Sequence, residues 1–349
     1  MRRTGIVRDV RFMDHLPGVG HPESPDRLRV IYDMLDGSDM AGAFHEIPTR
    51  EATEEELLSF HTPRYLERVA ATRGRDFVSL DPDTATSPGS YDAALLAAGG
   101  LCEAVSRVLE GELDNAFALV RPPGHHAERE RAMGFCLFNN VVIAARYAQR
   151  SHGIERVLII DWDLHHGNGT QHAFEDDSTV LYFSTHQFPY YPGTGSAAQT
   201  GVGDGLGFTV NIPLSVGHGD GEYMAIFEQV LAPIGRSFDP GLILVSAGFD
   251  IYEGDPLGGM RVTPEGFAGL TRSVMDLADA SCGGKLVVTL EGGYHLSGLR
   301  ESVKAVLREL SDQTQCDKQA LLSGADPGLT GRVMEQARDS QAPFWRILE

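Results

Sequence analysis

Between residues 161 and 169 the chain reads Asp-Trp-Asp-Leu-His-His-Gly-Asn-Gly, directly after four aliphatic residues, Val157 to Ile160. Asp163 and His165 stand two apart, so in extended backbone their side chains point the same way. A carboxylate and an imidazole so placed supply two of the three protein ligands of a catalytic zinc site. Taken singly, each residue has a blander role, with Asp161 and Asp163 capping a following helix and His165 packed in a loop. Other stretches weigh against that role. Asp250, after Leu242-Ile243-Leu244-Val245-Ser246, is the natural third ligand, and two carboxylates with one imidazole leave zinc a position for water and substrate. His125 and His126 follow two prolines and a glycine, in a loop of fixed geometry. Beside a metal, one histidine can take a proton from water and return it to a leaving group, while the other orients or contributes charge. Asp161 and Asn168 suit the task of fixing the histidine tautomers. Tyr294, after Gly292 and Gly293, can donate a hydrogen bond to a carbonyl becoming an oxyanion. These parts describe metal-assisted amide hydrolysis. No G-x-S-x-G elbow offers a serine nucleophile instead.

Such residues converge only if the elements that carry them are parallel. Val157–Asp161, Thr179–Ser184, Phe208–Ile212, Leu242–Ser246 and Lys285–Leu290 read as strands, the apolar runs being buried on both faces. Ala116–Val120 is a further strand running into the histidine pair. Helices are expected over Leu28–Leu35, from Glu54 with Thr53 as N-cap, over Asp92–Leu109, Asn139–Gln149, and near 221–236 and 264–280. Residues 76–90, with two prolines and a glycine, read as a loop. The alternation predicts an α/β fold with a mostly parallel central sheet and helices on both faces. Four strand ends, at His125-His126, Asp161/Asp163/His165, Asp250 and Tyr294, then share one edge, where ligands bind in such sheets. One catalytic domain over 1–311 is expected, with a polar helical extension over 312–349 packed on it.

Bulk composition narrows the function classes. With 49 acidic against 29 basic residues the net charge is −20, and no basic patch offers to track phosphates. Direct nucleic-acid binding is therefore not expected, and an acidic surface favours cationic substrates such as basic peptides or polyamines. No apolar run approaches a membrane span. The N-terminus lacks an apolar signal core, and Cys102, Cys136, Cys282 and Cys316 have no CxxC spacing. Free thiols in a reducing cytoplasm are expected.

RPPGHHA (121–127), GFCLFNN (134–140), DWDLHHGNGTQ (161–171), YYPGTG (190–195), SAGFD (246–250), GDPLGG (254–259) and EGGYH (291–295) resemble, in order, the zinc-dependent histone deacetylase superfamily, and HPESPDR (21–27) resembles its N-terminal loop. The forms of DWD-HHGNG and SAGFD are similar to the class II and bacterial amidohydrolase branch. The resemblance implies the single-domain arginase/deacetylase fold and one zinc ion on Asp163, His165 and Asp250. It implies His126 as general base and acid, His125 as its partner held by Asp161, and Tyr294 as the carbonyl-polarising phenol. Asn168 stands where some members carry an aspartate, which should leave His126 less basic. Potassium is implied at Asp161, Asp163, His165, Ser184 and Thr185, with a second site around Phe174, Asp177, Val180 and Phe208. An acyl-lysine tunnel would be walled by Phe135 and Tyr191 with the Gly134 carbonyl, next to Gly292 and Gly293, and Asp83 matches an aspartate that holds the substrate backbone. A polyamine-specific branch carries glutamate where this chain has Leu257, which favours an acyl-lysine peptide or protein as substrate. Other acetylpolyamine enzymes narrow their pockets by oligomerisation, so an acetylpolyamine and a homo-oligomer form the alternative. An arginase-like ureohydrolase would need further carboxylates. An inactive binding module would have lost the tyrosine or a histidine, and both are present.

Overall fold

The computed structural model describes residues 1–346, so the last three residues of the extension expected over 312–349 lie outside the described residues. The chain opens with β1 (Thr4–Val7), α1 (Asp26–Leu35), the two-residue β2 (His45–Glu46), α2 (Glu54–Leu57) and α3 (Pro63–Ala70). There follow β3 (Val78–Asp81), β4 (Thr84–Thr86), α4 (Ser90–Leu109), β5 (Asn115–Ala118) and α5 (Asn140–His152). Next come β6 (Val157–Asp161), α6 (Asn168–Phe174), β7 (Val180–Gln187) and β8 (Thr209–Leu214). The remainder is α7 (Asp220–Ile226), α8 (Ala232–Phe238), β9 (Leu242–Ala247), α9 (Pro264–Cys282), β10 (Leu286–Leu290), α10 (Leu296–Leu310), α11 (Lys318–Ser323) and α12 (Pro327–Gln341).

Eight strands form one sheet in the order β2-β1-β5-β10-β9-β6-β7-β8, every pair parallel. The expected α/β architecture is therefore the one observed. Strands β6, β9 and β10 lie at its centre with every residue buried, which is why they read as unbroken apolar runs. Their registers align the carboxyl ends, since Asp161 pairs with Ser184 of β7 and Ser246 of β9. Thr53 caps α2 through a reciprocal bond with Glu56, as its sequence implies. Asn139 caps α5, and α5 and α9 stop at Gly153 and Gly283, both in the left-handed conformation. Helix α6 begins after Gly167, so Asp161 and Asp163 do not cap it and stay free for other work.

Two expectations need correction. Residues 76–90 are not a plain loop, because β3 and β4 pair antiparallel within them. Each strand is too short to show an alternation, and Pro82-Asp83 forms the turn between them. This hairpin holds Asp83 in place. The helix expected over 221–236 is divided, with a π-turn over Phe227–Leu231 between α7 and α8. Pro233 lacks an N–H and its ring crowds the carbonyl four residues back, and the widened turn, with the Ala232 N–H reaching Phe227 O, accommodates both.

Beyond residue 311, α12 lies along β8 and α7. The Gln341 side chain donates to Thr209 O (3.3 Å) and the Trp345 indole to Gly207 O (3.0 Å). No helix among the described residues is long and apolar enough to cross a membrane.

Candidate active site

Loops after β5, β6, β9 and β10 bring the chemistry-bearing residues to one sheet edge. His165 Nδ1 lies 3.1 Å from both Asp163 Oδ1 and Asp250 Oδ2, and one ligand atom from each of the three falls within 4.8 Å of the others. The carboxylates are oriented by backbone: Gly292 N–H donates to Asp163 Oδ2 (2.8 Å), and Leu164 N–H to Asp250 Oδ1 (2.9 Å). Glycine is required at this wall, because a Cβ on Gly248 would lie 2.0 Å from Asp163 Oδ2 and one on Gly292 2.3 Å from Asp250 Oδ2. Burial and the neighbouring Asp163 push the Asp250 carboxyl up to about 7. Burial acts on Asp163 in the same direction, but His125 and His165 outweigh it and hold Asp163 well below the carboxylate range. Two buried, mutually repelling carboxylates with one imidazole form a donor set that suits a divalent zinc ion and fits it better than it fits any neutral occupant.

The histidine pair is fixed from below. Glu291 Oε2 accepts from Gly124 N–H (2.7 Å) and His125 N–H (3.2 Å), and its Oε1 accepts from Ser246 Oγ (3.0 Å). His125 Nδ1 faces Asp161 Oδ2 at 3.0 Å, where the Tyr182 hydroxyl also donates. Burial would lower His125, yet Asp161 and Asp163 push it up to about 10. His126 is the opposite case. Its Nδ1 faces a neutral amide oxygen, Asn168 Oδ1, at 2.8 Å, and burial plus the adjacent His125 lower it well below the ordinary imidazole value. The two rings lie 4.0 Å apart.

A narrow cavity of about 80 Å³ leads to these groups, lined by Asp83, Pro123, both histidines, Gly134, Phe135, His165, Tyr191, Leu257, Gly292 and Tyr294. That volume admits a slender, unbranched group. A larger, open depression of about 640 Å³ lies against α12 and shares none of these residues.

The histone deacetylase domain model matches residues 21–310. The chain belongs to the histone deacetylase family. The family is one of zinc-dependent amidohydrolases. The chain is 41% identical over 348 residues to the human polyamine deacetylase HDAC10, covering 94% of this chain and 50% of that one. It is 41% identical over 334 residues to histone deacetylase 15 of Arabidopsis thaliana, covering 94% of this chain and 59% of that one. The crystal structure of the HDA15 HD domain superposes with a TM-score of 0.90 at 39% identity, covering 99% of this chain and 96% of that one. The chain thus spans about half to three-fifths of the length of the curated relatives it matches.

Within this deacetylase framework the structure brings together nearly all the residues singled out in the sequence. Phe135 stands edge-on to Tyr294 at 6.1 Å and Tyr191 edge-on to His126 at 5.1 Å. Gly134 has φ 57°, and a Cβ there would meet the His126 ring at 2.2 Å, so only glycine lets the wall approach the histidine. Asp83 Oδ1 accepts from Gly134 N–H at 2.9 Å, coupling the hairpin to the wall. Gly293 does not line the cavity; its carbonyl accepts from Arg27 Nε (2.7 Å), and the Arg27 guanidinium lies 5.1 Å from the Tyr294 ring centroid. Ser184 sits beside Asp161 in register with its Oγ bonded to His186 Nδ1 (2.9 Å), and the buried Thr185 hydroxyl has no hydrogen-bond partner among the described residues. Around the second expected potassium position, Arg146 pairs with Asp177 (2.6 Å) and covers the Phe174 ring. Phe208 O there accepts from Tyr182 N–H (2.9 Å), and Val180 N–H bonds back to Asp177 O (3.4 Å).

Sequence reasoning missed four contributors. Glu291 supports the histidine loop, and Asp255 Oδ2 accepts from Tyr294 N–H (2.7 Å) and His295 N–H (3.0 Å). Tyr190 stacks on His165 at 5.7 Å and donates to Leu257 O (2.9 Å). Glu128 bonds to Asn168. For Glu291 and Asp255 a signal existed, an acid set in a glycine-rich turn after a strand; for Tyr190 and Glu128 there was none.

Proposed function

We propose that this chain hydrolyses a linear acyl amide, with an acylated lysine side chain as the preferred substrate class. The single observation that carries the reading is that His126, Tyr294 and His165 line one narrow cavity, with Asp163 and Asp250 grouped behind His165 as a potential metal-ligand triad. Asp163, His165 and Asp250 would hold zinc, which when bound supplies Lewis acidity for a carbonyl and for water. His126 starts neutral, since burial disfavours its charged form. It takes a proton from the attacking water as the new C–O bond forms. It then delivers that proton to the amine nitrogen as the C–N bond breaks, leaving a carboxylic acid and an amine, and transfer of the acid proton to the amine gives carboxylate and ammonium. His125, charged against Asp161, contributes positive potential beside the developing oxyanion. Tyr294 stays protonated because burial raises its phenol well above the ordinary value, and it donates to the same oxygen. Phe135 and Tyr191 flank the apolar stem, and Asp83 offers a carboxylate to substrate backbone N–H groups at the rim. Potassium held by Asp161, Asp163, His165, Ser184 and Thr185 belongs to the same proposal.

A second reading, deacetylation of an acetylpolyamine, is favoured by the net charge of −20 and by the likeness to a polyamine deacetylase. Leu257, half-buried at the cavity, offers no charge for a cationic chain, and this supports the first reading.

The test compares turnover of an acetyl-lysine peptide, longer acyl-lysine peptides and N-acetylspermidine. The peptides should be cleaved faster, a chelator should abolish cleavage, and Tyr294→Phe should lower kcat by about 100- to 1,000-fold. Faster turnover of N-acetylspermidine would replace the first reading by the second. Leu257→Glu should move the preference toward the polyamine by about two- to fivefold, the scale of one partly solvated ion pair.

A further inference from the structure

The side-chain amide of Asn168 bridges the buried His126 and a group that no step above uses. Its Oδ1 faces His126 Nδ1 at 2.8 Å. Its Nδ2 donates to Glu128 Oε1 at 2.5 Å and to the backbone carbonyl of His126 at 3.2 Å. Glu128 Oε1 is also 2.9 Å from His172 Nδ1, one turn along α6 from Asn168, and the Glu128 backbone N–H is tied to Arg131 O at 2.9 Å. Asn168 is buried, Glu128 is largely buried, and His172 reaches solvent.

The chemistry of these groups permits one arrangement. An ionised carboxylate only accepts, so the amide must turn its N–H side toward Glu128. Its oxygen is then left for His126, and an acceptor at Nδ1 requires the proton on Nδ1. The lone pair of His126 is thereby confined to Nε2, on the cavity side of the ring. A free amide would have two orientations, and its flipped form would present an N–H to Nδ1, moving the imidazole proton to Nε2 and removing the base. With an aspartate at 168 no such ambiguity would exist, because both ends accept.

We propose that Glu128, braced by His172, is a positioning residue for proton transfer: it holds the Asn168 amide in the one orientation that leaves His126 Nε2 unprotonated. The inference rests on the reading of His126 as the general base. Polarisation of the amide by the Glu128 charge also strengthens its oxygen as an acceptor.

The experiment uses the full chain, zinc-loaded for kinetics and both zinc-loaded and metal-free for ¹⁵N-histidine NMR. Wild type should show His126 as one tautomer, pyrrole-type at Nδ1 and pyridine-type at Nε2. Glu128→Ala should lower kcat by about 10- to 100-fold with KM within about twofold, the usual range for a partner that orients a catalytic group, and should mix the two tautomers. Asn168→Asp alone sets two carboxylates against each other and should be at least as slow. Adding Glu128→Gln to it restores a donor–acceptor pair with reversed polarity and should recover kcat to within about fivefold of wild type. The inference is overturned if Glu128→Ala keeps kcat within about twofold, or loses activity while His126 keeps one tautomer, or if the double variant is no faster than Asn168→Asp. Should Glu128→Ala not fold, the double variant decides alone. His126→Ala separates the two layers: activity surviving it would remove the general-base reading, whereas the NMR result bears on Glu128 directly.

Discussion

Two charged clusters are buried a few residues apart, and they are built on opposite terms. Around Glu23, the Arg121 guanidinium donates from Nε (2.5 Å) and Nη2 (2.7 Å), and Arg27 adds a third bond (3.1 Å). The remaining arginine donors go to backbone carbonyls of Phe12, His15, Gly293 and Glu291. In that cluster the charges of Glu23, Arg27 and Arg121 are all paired by protein groups. At the candidate metal site Asp161, Asp163, Asp250 and Glu291 are all buried, and their partners are imidazoles, hydroxyls and backbone amides. Negative charge is left over there. The contrast separates a cluster that serves the fold from one suited to a cation: saturated charges fix geometry, and unbalanced ones favour a positive ligand.

The largest expected effect tests the unbalanced side. Asp250→Asn should reduce turnover by about a thousandfold or more, since a ligand and its charge are lost together. The metal-free variant should nevertheless melt no lower than wild type, because one of two repelling carboxylates is gone. Zinc should raise the melting temperature of wild type and leave the variant unmoved. A metal-free Asp250→Asn protein that melts well below wild type would break the contrast.

Glu23→Gln should behave in the reverse way. It leaves Arg121 and Arg27 buried without their counter-charge, a loss of about 3–5 kcal/mol by comparison with other broken buried pairs, read as a lower urea midpoint. Zinc should not restore the lost stability.

The smallest effect is a pair of opposite pH slopes in chelator-treated protein. Burial would raise the Glu23 carboxyl, but Arg121 and then His15 and Arg27 bring it down to about 2 from an ordinary 4.5. Its folded pKa is depressed, so its contribution is present above about 4.5 and drains away as pH falls toward 2. Burial pushes Glu291 up to about 7, Asp161 and Asp163 adding to it. Its folded pKa is raised, so its contribution is full below about 4.5 and is lost as pH rises through 7. Melting temperatures from pH 3 to 8 should therefore flatten on the acid side in Glu23→Gln and on the neutral side in Glu291→Gln. Identical profiles for both variants would show that the two clusters do not differ in this respect.

The central sheet was legible because physics writes it plainly: Val157–Ile160 and Leu242–Val245 are buried on both faces and have no polar residue to spare. The candidate ligands at their ends stand out for a related reason, since Asp163, His165 and Asp250 interrupt apolar runs where packing alone would not put them. The β3–β4 hairpin was hidden because strands of three and four residues carry too little pattern beside Pro82 and Pro88. The π-turn at Phe227–Leu231 follows from Pro233, but whether proline ends, kinks or widens a helix depends on packing around it. Glu128 and Glu291 act on residues 40 and 166 positions away, distances over which sequence carries no geometric information. Their roles needed the fold.

The C-terminal helix also has a bearing on solubility. β8 is the last strand of the sheet, and on its outer side the backbone carbonyl of Thr209 is taken by the Gln341 amide, with Gly207 O taken by Trp345. Side chains thus occupy hydrogen-bonding groups that an uncovered strand would offer to another polypeptide. Deleting residues 312–349 should leave the metal ligands in place yet turn β8 into a template for intermolecular strand pairing, seen as concentration-dependent aggregation. Gln341 and Trp345 thus cover part of the β8 edge as well as packing the C-terminal segment against the sheet.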